Sequence, residues 1–534
     1  MCYCYFGFPR FWRLPGPIDW LCLEPFVFWE VVEMQLFAIG VGGSGAKCLE
    51  ALTHLHACGL LVDANGNPIR LGTFLVEPDQ ESTLLSRAET AIERYRKMHG
   101  LLNKKTTSFA RGELRHYGTW SPLSSSSNAI RLDQIFARPV LRTQAAGLAS
   151  LFDCLFPPEE QSADLVVGFR GRPPIGAAVM SRVSLVSEAQ TGQWQQMLGD
   201  VKSATGGGES TIIHLFGSVF GGTGAAGVPT LGQMLKNWLS DEKLRSVRVH
   251  ASLLLPYFDF EGQGEEDTGV HAEARNFQLN TDAALQHLCA RGESCFDHVY
   301  LIGSDIKARY NFSIGGRTQT NAAHLVELLA ALGARHGLNP DADNGYAYVL
   351  SRAAQNRISW NDIPDNESVG VGLARGARFA VAWLNNFSLE LERAQSMPMP
   401  TFLSGAPWSR QFFQPSGQEN ESRSGRPSIR NADELNLKVA IDSYSETLLQ
   451  WLYQLSANTG SGFTQDLFSS DLLRRNSNHE NDLAMVVRGS ARPTRDEQAD
   501  TIEAIKVQMD NMGREQIYSR GVAGLADTLW SQAY

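Results

Sequence analysis

Two stretches of this chain are nearly bare of side chains. One is Gly40-Val41-Gly42-Gly43-Ser44-Gly45, and the other is GSVFGGTGAAG, residues 217–227, which holds five glycines. Chemistry at such places comes from the backbone. Where a glycine loop opens straight into a helix, its N–H groups and the helix dipole suit a phosphate. Both stretches run from an apolar segment into a helical pattern, so both fit that use. For the first loop taken alone, a tight strand-to-helix turn that needs glycine for steric reasons is the alternative account. Spacing excludes one familiar scheme and weakens another. A Walker A loop would end in GK[ST], whereas Lys47 here stands between Ala46 and Cys48. A dinucleotide fold would place an acid about 20 residues beyond the loop, at the tip of the second strand. Asp63 lies inside the turn DANGNP, and the strand-end acids Glu77 and Asp79 come late.

The elements that must hold these loops are legible as apolar runs ending in glycine, proline or acid: QLFAIGV, GTFLVEPD, ADLVVGFRG, TIIHLFGSVFGG, VRVHASLLLPYF and DHVYLIGSD. Helical patterns separate them. Cys48, Leu49, Leu52 and Leu55 recur at helical spacing and Gly59 supplies a stop. Strands apolar on both faces and alternating with helices predict an α/β fold with a mostly parallel, Rossmann-like sheet covered on two sides. Ligands of such sheets sit beyond the carboxyl ends of the strands, where both glycine loops fall.

Composition narrows the class. The 534 residues are 43% hydrophobic, enough for more than one domain, and the 57 acidic against 47 basic residues leave a net charge of -10. That balance argues against a protein that tracks a nucleic-acid backbone. The eight cysteines form no CxxC pair and have no histidines at zinc spacing, so no metal site is predicted and a reducing cytoplasm is expected. Residues 1–33 are aromatic but broken by Pro15, Pro17, Asp19, Glu24 and Pro25. No run reaches the roughly 18 apolar residues of a membrane span, so no membrane insertion is expected. The segment reads as an extension upstream of the true start or as a loosely packed arm.

The second loop discriminates further. GGTGAAG closely resembles the phosphate signature of the tubulin and FtsZ family, GGGTGSG in tubulin and GGGTGTG in FtsZ, with Phe220 for the first glycine and Ala225 and Ala226 in the tail. Other loops then fall into the family's order. VEPDQEST looks like the NTDxQ and DLEP loops and implies that Glu77 and Asp79 lie near the phosphates and any magnesium. GFRGRPPIGAA is similar to GAGGNPEVG beside the terminal phosphate, which brings in Gly168, Arg170 and Gly171, with Arg172 added. LPYFDFEGQ resembles KPFxFEGxx, putting Glu261 at the ribose and Arg275 at a neighbouring arginine position. TNAAHLVELLAALGA looks like the start of the central helix, with Asn321 at the guanine edge. The resemblance thus implies that Gly42, Gly43, Ser44 and Gly45 grip the nucleotide from one side, and Gly221, Gly222, Thr223 and Gly224 from the other. Each match also has a plain alternative. The two acids could cap a turn, and Asn321 could cap its helix.

In that family, GTP lies between subunits and a loop after the central helix of the next subunit orients the attacking water. GLNPDADNG is the corresponding stretch, so Asn339 and Asp341 are the implied catalytic pair. Pro340 is inserted between them, the family's second acid falls on Asn344, and Asp343 is out of register. The expected function is therefore GTP binding, with hydrolysis at junctions of a head-to-tail filament, GTP or GDP and Mg2+ as cofactors, and self-association as the main partnership. A nucleotide-binding regulator that neither hydrolyses nor assembles is the first alternative. A nicotinamide or flavin oxidoreductase is the second, but it has no use for the second loop.

The resemblance spans residues 34–345 and is interrupted by an insertion at about 86–163, expected to form a helical outgrowth in which Lys104, Lys105 and Arg111 offer a basic surface. Residues 346–534 read as a mainly helical C-terminal region with a polar linker, PSGQENESRSGRPSIRN, and show no peptide like the one FtsZ uses to meet membrane anchors. A specialised bacterial tubulin-like protein of plasmid, phage or defence biology fits this better than one of cell division.

Overall fold

The structure is a computed structural model that describes residues 34–534 apart from 103–105, 107, 124–129, 262–273, 305–306, 312–315, 340–346, 351–356, 415–425, 458–463, 475–482, 495–499 and 514–518. Its centre is a seven-stranded sheet in the order β3-β2-β1-β4-β5-β7-β9. The strands are β1 (Met34–Val41), β2 (Arg70–Val76), β3 (Leu114–Trp120), β4 (Ser210–Ser218), β5 (Arg248–Leu254), β7 (His298–Ile302) and β9 (Ala347–Leu350), and every neighbouring pair is parallel. β6 (Phe258–Glu261) and β8 (Ala308–Asn311) form a separate pair. The helices that matter for the site are α1 (Gly42–Ala57), α2 (Thr83–Leu102), α3 (Pro173–Met180), α4 (Gly192–Gly206), α5 (Gly222–Asp241), α6 (Ala274–Cys295) and α7 (Leu325–His336); α8 (Asn366–Ala382), α9 (Ala432–Ala457) and α10 (Gly521–Gln532) belong to the C-terminal region. The expected α/β class with a parallel sheet is what the chain forms.

The sheet divides the core by the two-residue period of its strands. Phe37, Ile39 and Val41 of β1 face Trp194 and Val201 of α4 and Leu231 and Leu235 of α5. Leu36 and Ala38 face Leu49, Leu52 and Leu55 of α1, in a core that continues through α7 into the C-terminal helices. That second side carries polar rings. His214, His250 and His298 are register partners across β4, β5 and β7, and the His250 and His298 rings stack at 4.4 Å. Burial, first of all, drives the His250 imidazole down to about 3, so it is neutral at ordinary pH.

Chain order reverses between β1 and β4. β2 and β3 extend from one side of β1, while β4, β5, β7 and β9 extend from the other. The carboxyl ends of β1 and β4 therefore border a switch point, with Gly40 paired to Phe216. In open parallel sheets that crevice receives the ligand.

Two sequence expectations change. ADLVVGFRG is a loop rather than a strand: Asp164 makes an isolated bridge to Arg131, and Gly168, Arg170 and Gly171 all have positive φ, three left-handed residues within four positions that break an extended run. The insertion is also only partly an outgrowth. Its start is α2 and the edge strand β3, whose Leu114, Tyr117 and Trp120 are buried while residues between them are not. Only residues 130–165 form a run of short helices, built around Leu132, Ile135, Phe152 and Phe156 and joined to α3 through Phe169, Ile175 and Val179. Arg111 is exposed just before β3, and Lys104 and Lys105 lie outside the described residues.

Residues beyond 345 are mainly helical, but the boundary expected there is displaced, because β9 at Ala347–Leu350 completes the central sheet. Arg378 and Asp500, both almost fully buried, pair at 2.5 Å, and the same guanidinium donates to the Leu483 and Ala533 carbonyls. This region packs directly on α1: the Tyr444 hydroxyl meets His54 Nδ1 at 3.0 Å, and the Trp451 and His54 rings lie 4.8 Å apart. No helix among the described residues is long and apolar enough to cross a membrane.

Candidate functional site

The two glycine loops meet at the switch point. A methyl group built on Gly42 would lie 3.2 Å from Cβ of Thr223 and 3.4 Å from the Gly224 nitrogen. Gly42 has a φ of 77°, which carries the chain from β1 into α1 without a side-chain clash. Neither helix start is capped by a side chain or bears an acid in its first turn: Val41 precedes α1 and Gly221 precedes α5, both extended. Two sets of first-turn N–H groups thus end at one place, and with them the positive ends of two helix dipoles.

A third loop closes on the second. A methyl on Gly222 would stand 2.9 Å from Cβ of Phe169, 3.0 Å from its carbonyl oxygen and 3.1 Å from the Arg172 nitrogen. Asn280 of α6 fastens the two loops together, its amide donating to the Phe220 carbonyl at 2.9 Å and the Gly171 carbonyl at 3.3 Å. Arg170 keeps its left-handed conformation while Nε donates to the Asp164 carbonyl at 2.8 Å. Arg172 instead pairs with Glu160 at 3.6 Å.

The acids Glu77 and Asp79 border this third loop, for a methyl on Gly168 would lie 3.8 Å from Cβ of Asp79 and 3.9 Å from Glu77 Oε1. Burial pushes the Glu77 carboxyl up to about 8, against the pull of the Asp79 N–H that donates to Oε1 at 3.1 Å, with the Asp79 charge adding a further rise. Asp79 organises the loops around it, accepting from the Gly316 N–H at 2.6 Å and the Glu81 N–H at 3.2 Å. Among the described residues no group of three or more His, Cys, Asp or Glu could hold a metal ion. A cation here would have to draw most ligands from phosphate oxygens and water, as Mg2+ does beside one or two carboxylates.

The lining of the cleft also includes a part of different chemistry. Phe220, Tyr257, Phe258, Phe260 and Phe277 line it, together with Lys47 and Asn321. Lys47 is 2% exposed, pairs with Glu327, and sits 5.7 Å and 5.5 Å from the ring centres of Tyr257 and Tyr310. Glu327 also accepts the Tyr257 hydroxyl at 2.7 Å and the His324 N–H at 2.8 Å. His324, not Asn321, caps α7: its Nδ1 accepts the Val326 N–H at 3.2 Å. Burial lowers that imidazole to about 3, with Lys47 adding to the shift, and the neutral ring it enforces is the form that can accept. Asn321 is thereby left on the cleft wall. The cleft is half open, with about 870 Å³ of empty space when its mouth is included.

Of the residues singled out in the sequence, Gly42, Gly43, Ser44, Glu77, Asp79, Gly168, Arg170, Gly171, Gly221, Gly222, Thr223, Gly224 and Asn321 line this one cleft. Gly45 does not. A methyl there would meet the Phe216 carbonyl oxygen at 2.6 Å and Gly40 at 2.8 Å, so its bareness serves the seating of α1 on the sheet. Glu261 ends β6, with its side chain outside the described residues, and Arg275 is exposed in the first turn of α6, off the cleft lining. Asn339 is exposed beyond α7, its N–H bonded to the His336 carbonyl at 3.1 Å. The 12 residues of α7 separate it from the Asn321 end of the cleft by about 18 Å at 1.5 Å per residue. Asp341 lies outside the described residues.

Sequence reasoning missed Lys47, the aromatic wall and Asn280. Lys47 had a signal, since it follows the cleft residue Ser44 by three on one helix face. Asn280 had none: nothing local marks an amide that bridges two distant loops. In comparisons with known proteins, no family model and no curated sequence matches the chain.

Proposed function

We propose that this chain binds a guanine nucleotide in the manner of tubulin and FtsZ and hydrolyses GTP where subunits join head to tail in a cytoplasmic filament. The observation that carries the reading is the contact between two uncapped glycine loops across the switch point, with Gly42 against Thr223. One such loop serves many ligands. Two that converge with a third suit a chain of phosphates gripped from several sides.

In this reading the amides of Gly42 to Ser44 and of Gly221 to Gly224 hold the phosphates, and the aromatic end with Asn321 and Lys47 holds the nucleoside. Mg2+ would supply neutralisation of phosphate charge, with Glu77 beside it; Asp79, whose oxygens already accept two backbone N–H groups, keeps the loops in place. Phosphoryl transfer asks little else of a protein than position and charge. Asn339 stands at the far end of α7 from the chain's own cleft, which accords with a role for it and Asp341 at a neighbour's phosphates.

Titration with GTP, GDP and ATP tests the binding: GTP and GDP are expected to bind and ATP to bind much more weakly, and equal binding of ATP would remove Asn321 from its assigned role. Sedimentation and phosphate release with GTP test the rest. The Asp341→Ala variant is expected to keep GTP affinity and lose phosphate release. The displaced second acid of the GLNPDADNG stretch favours one other outcome, a binder that neither sediments nor releases phosphate.

A further inference from the structure

The segment that carries Asn321 belongs to no helix or strand, so its shape depends on what its backbone is tied to. Four different elements tie it. The Asn321 carbonyl accepts from Arg87 Nη1 of α2 at 2.9 Å, and the Ala322 carbonyl from the Tyr310 hydroxyl of β8 at 3.2 Å. The Ala323 N–H donates to Gln454 Oε1 of α9 at 3.0 Å, and the His324 N–H to Glu327. Arg87 is itself held by Glu50, through Nε to Oε1 at 3.2 Å and through Nη2 to Oε2.

Gln454 stands apart from the other three. It comes from the C-terminal region, 131 residues further along the chain, and no part of it lines the nucleotide cleft. It lies in a polar crevice behind the segment, bordered also by Glu50, Arg87, Arg94, Thr447 and Gln450. On the same helix, Arg94 Nη1 donates to the Ser443 carbonyl at 3.1 Å and to Thr447 Oγ1 at 2.8 Å, which ties α9 to α2 in the turns that precede Gln454. A carbonyl oxygen so placed can act on the cleft only by holding the backbone two residues from Asn321.

We propose that Gln454 is a positioning residue for nucleotide selection, through which the C-terminal region sets how firmly Asn321 meets the base. This rests on the reading above, in which Asn321 faces the base. It also gives a region without glycine loops or cleft residues a definite part in binding.

The test compares Gln454→Leu, which removes the acceptor, with Gln454→Glu, which keeps an oxygen for the Ala323 N–H. Each full-length variant is titrated with GTP, ATP and inorganic tripolyphosphate, and amide exchange at Ala323 is followed without nucleotide. Gln454→Leu is expected to speed exchange at Ala323, to weaken GTP binding about three- to tenfold, the worth of one hydrogen bond, and to narrow the preference for GTP over ATP. Tripolyphosphate, which has no base, is expected to bind as in the wild type, and Gln454→Glu to restore GTP affinity. Unchanged GTP affinity and preference in Gln454→Leu overturns the proposal alone. A loss shared equally by tripolyphosphate also overturns it, as general loosening. A wild-type chain that binds no nucleotide overturns both this and the reading beneath it.

Discussion

The two glycine loops look alike in sequence and differ in what their glycines are for. In the first, the left-handed Gly42 turns the chain, a methyl on Gly45 would stand 2.6 Å from the Phe216 carbonyl oxygen, and one on Gly43 would meet only the Leu84 side chain, at 3.0 Å. In the second, a methyl on Gly224 would strike the Ser218 oxygen at 2.6 Å and nitrogen at 2.7 Å, and one on Gly222 would strike the backbone of the third loop. The first loop is thus packed tightly at its base and loosely at its rim, whereas the second is wedged against neighbouring backbone at Gly222 and Gly224. Glycine count alone is a poor guide to which residues border the cleft: Gly42 and Gly43 line it, whereas Gly45 only admits neighbouring backbone.

Substitutions sharpen that contrast. Gly224→Ala is expected to do the most damage, destabilising by about 3 kcal/mol, since neither Ser218 atom can move without shifting β4; the gain of about 1 kcal/mol from alanine in a helix does not offset it. Urea unfolding measures this, and a variant as stable as wild type would contradict the wedged geometry. Gly45→Ala should follow at about 2 kcal/mol, with nucleotide binding impaired only as far as α1 is displaced. Asn280→Ala removes two hydrogen bonds and should weaken GTP binding about tenfold with little change in the unfolding midpoint. Titration alongside unfolding separates the two effects. Gly43→Ala is the mild end: Leu84 can give way, and stability is expected within about 0.5 kcal/mol of wild type. If it proved as costly as Gly224→Ala, the distinction between rim and wedge would fail.

Much of the frame was readable beforehand because it depends on local pattern. β1, β2, β4, β5 and β7 are apolar on both faces and bounded by breakers, so their period and ends are marked in the sequence. β3 was hidden because an edge strand with one wet face carries Arg115, His116 and Thr119 among its core residues. ADLVVGFRG misled for the opposite reason. It is as apolar as a strand, and what breaks it is the left-handed backbone at Gly168, Arg170 and Gly171, where the Arg170 side chain bonds back to the Asp164 carbonyl and the Gly171 carbonyl is held from α6 by Asn280. Asn321 was expected to be either a cap or a cleft residue; a histidine three positions on takes the cap, which no helix preference would rank first.

From the order of residues alone came the alternation of strands and helices, the two glycine turns at strand ends, and the acids that follow β2. These depend on steric and periodic rules that act within a few residues. Only the folded chain decided that the two turns touch, that Gly45 belongs to packing and Lys47 to the cleft, and that α9 reaches back to the segment beside Asn321. Contacts between positions hundreds of residues apart depend on strand order and helix seating, and those are settled by how the whole core fills space.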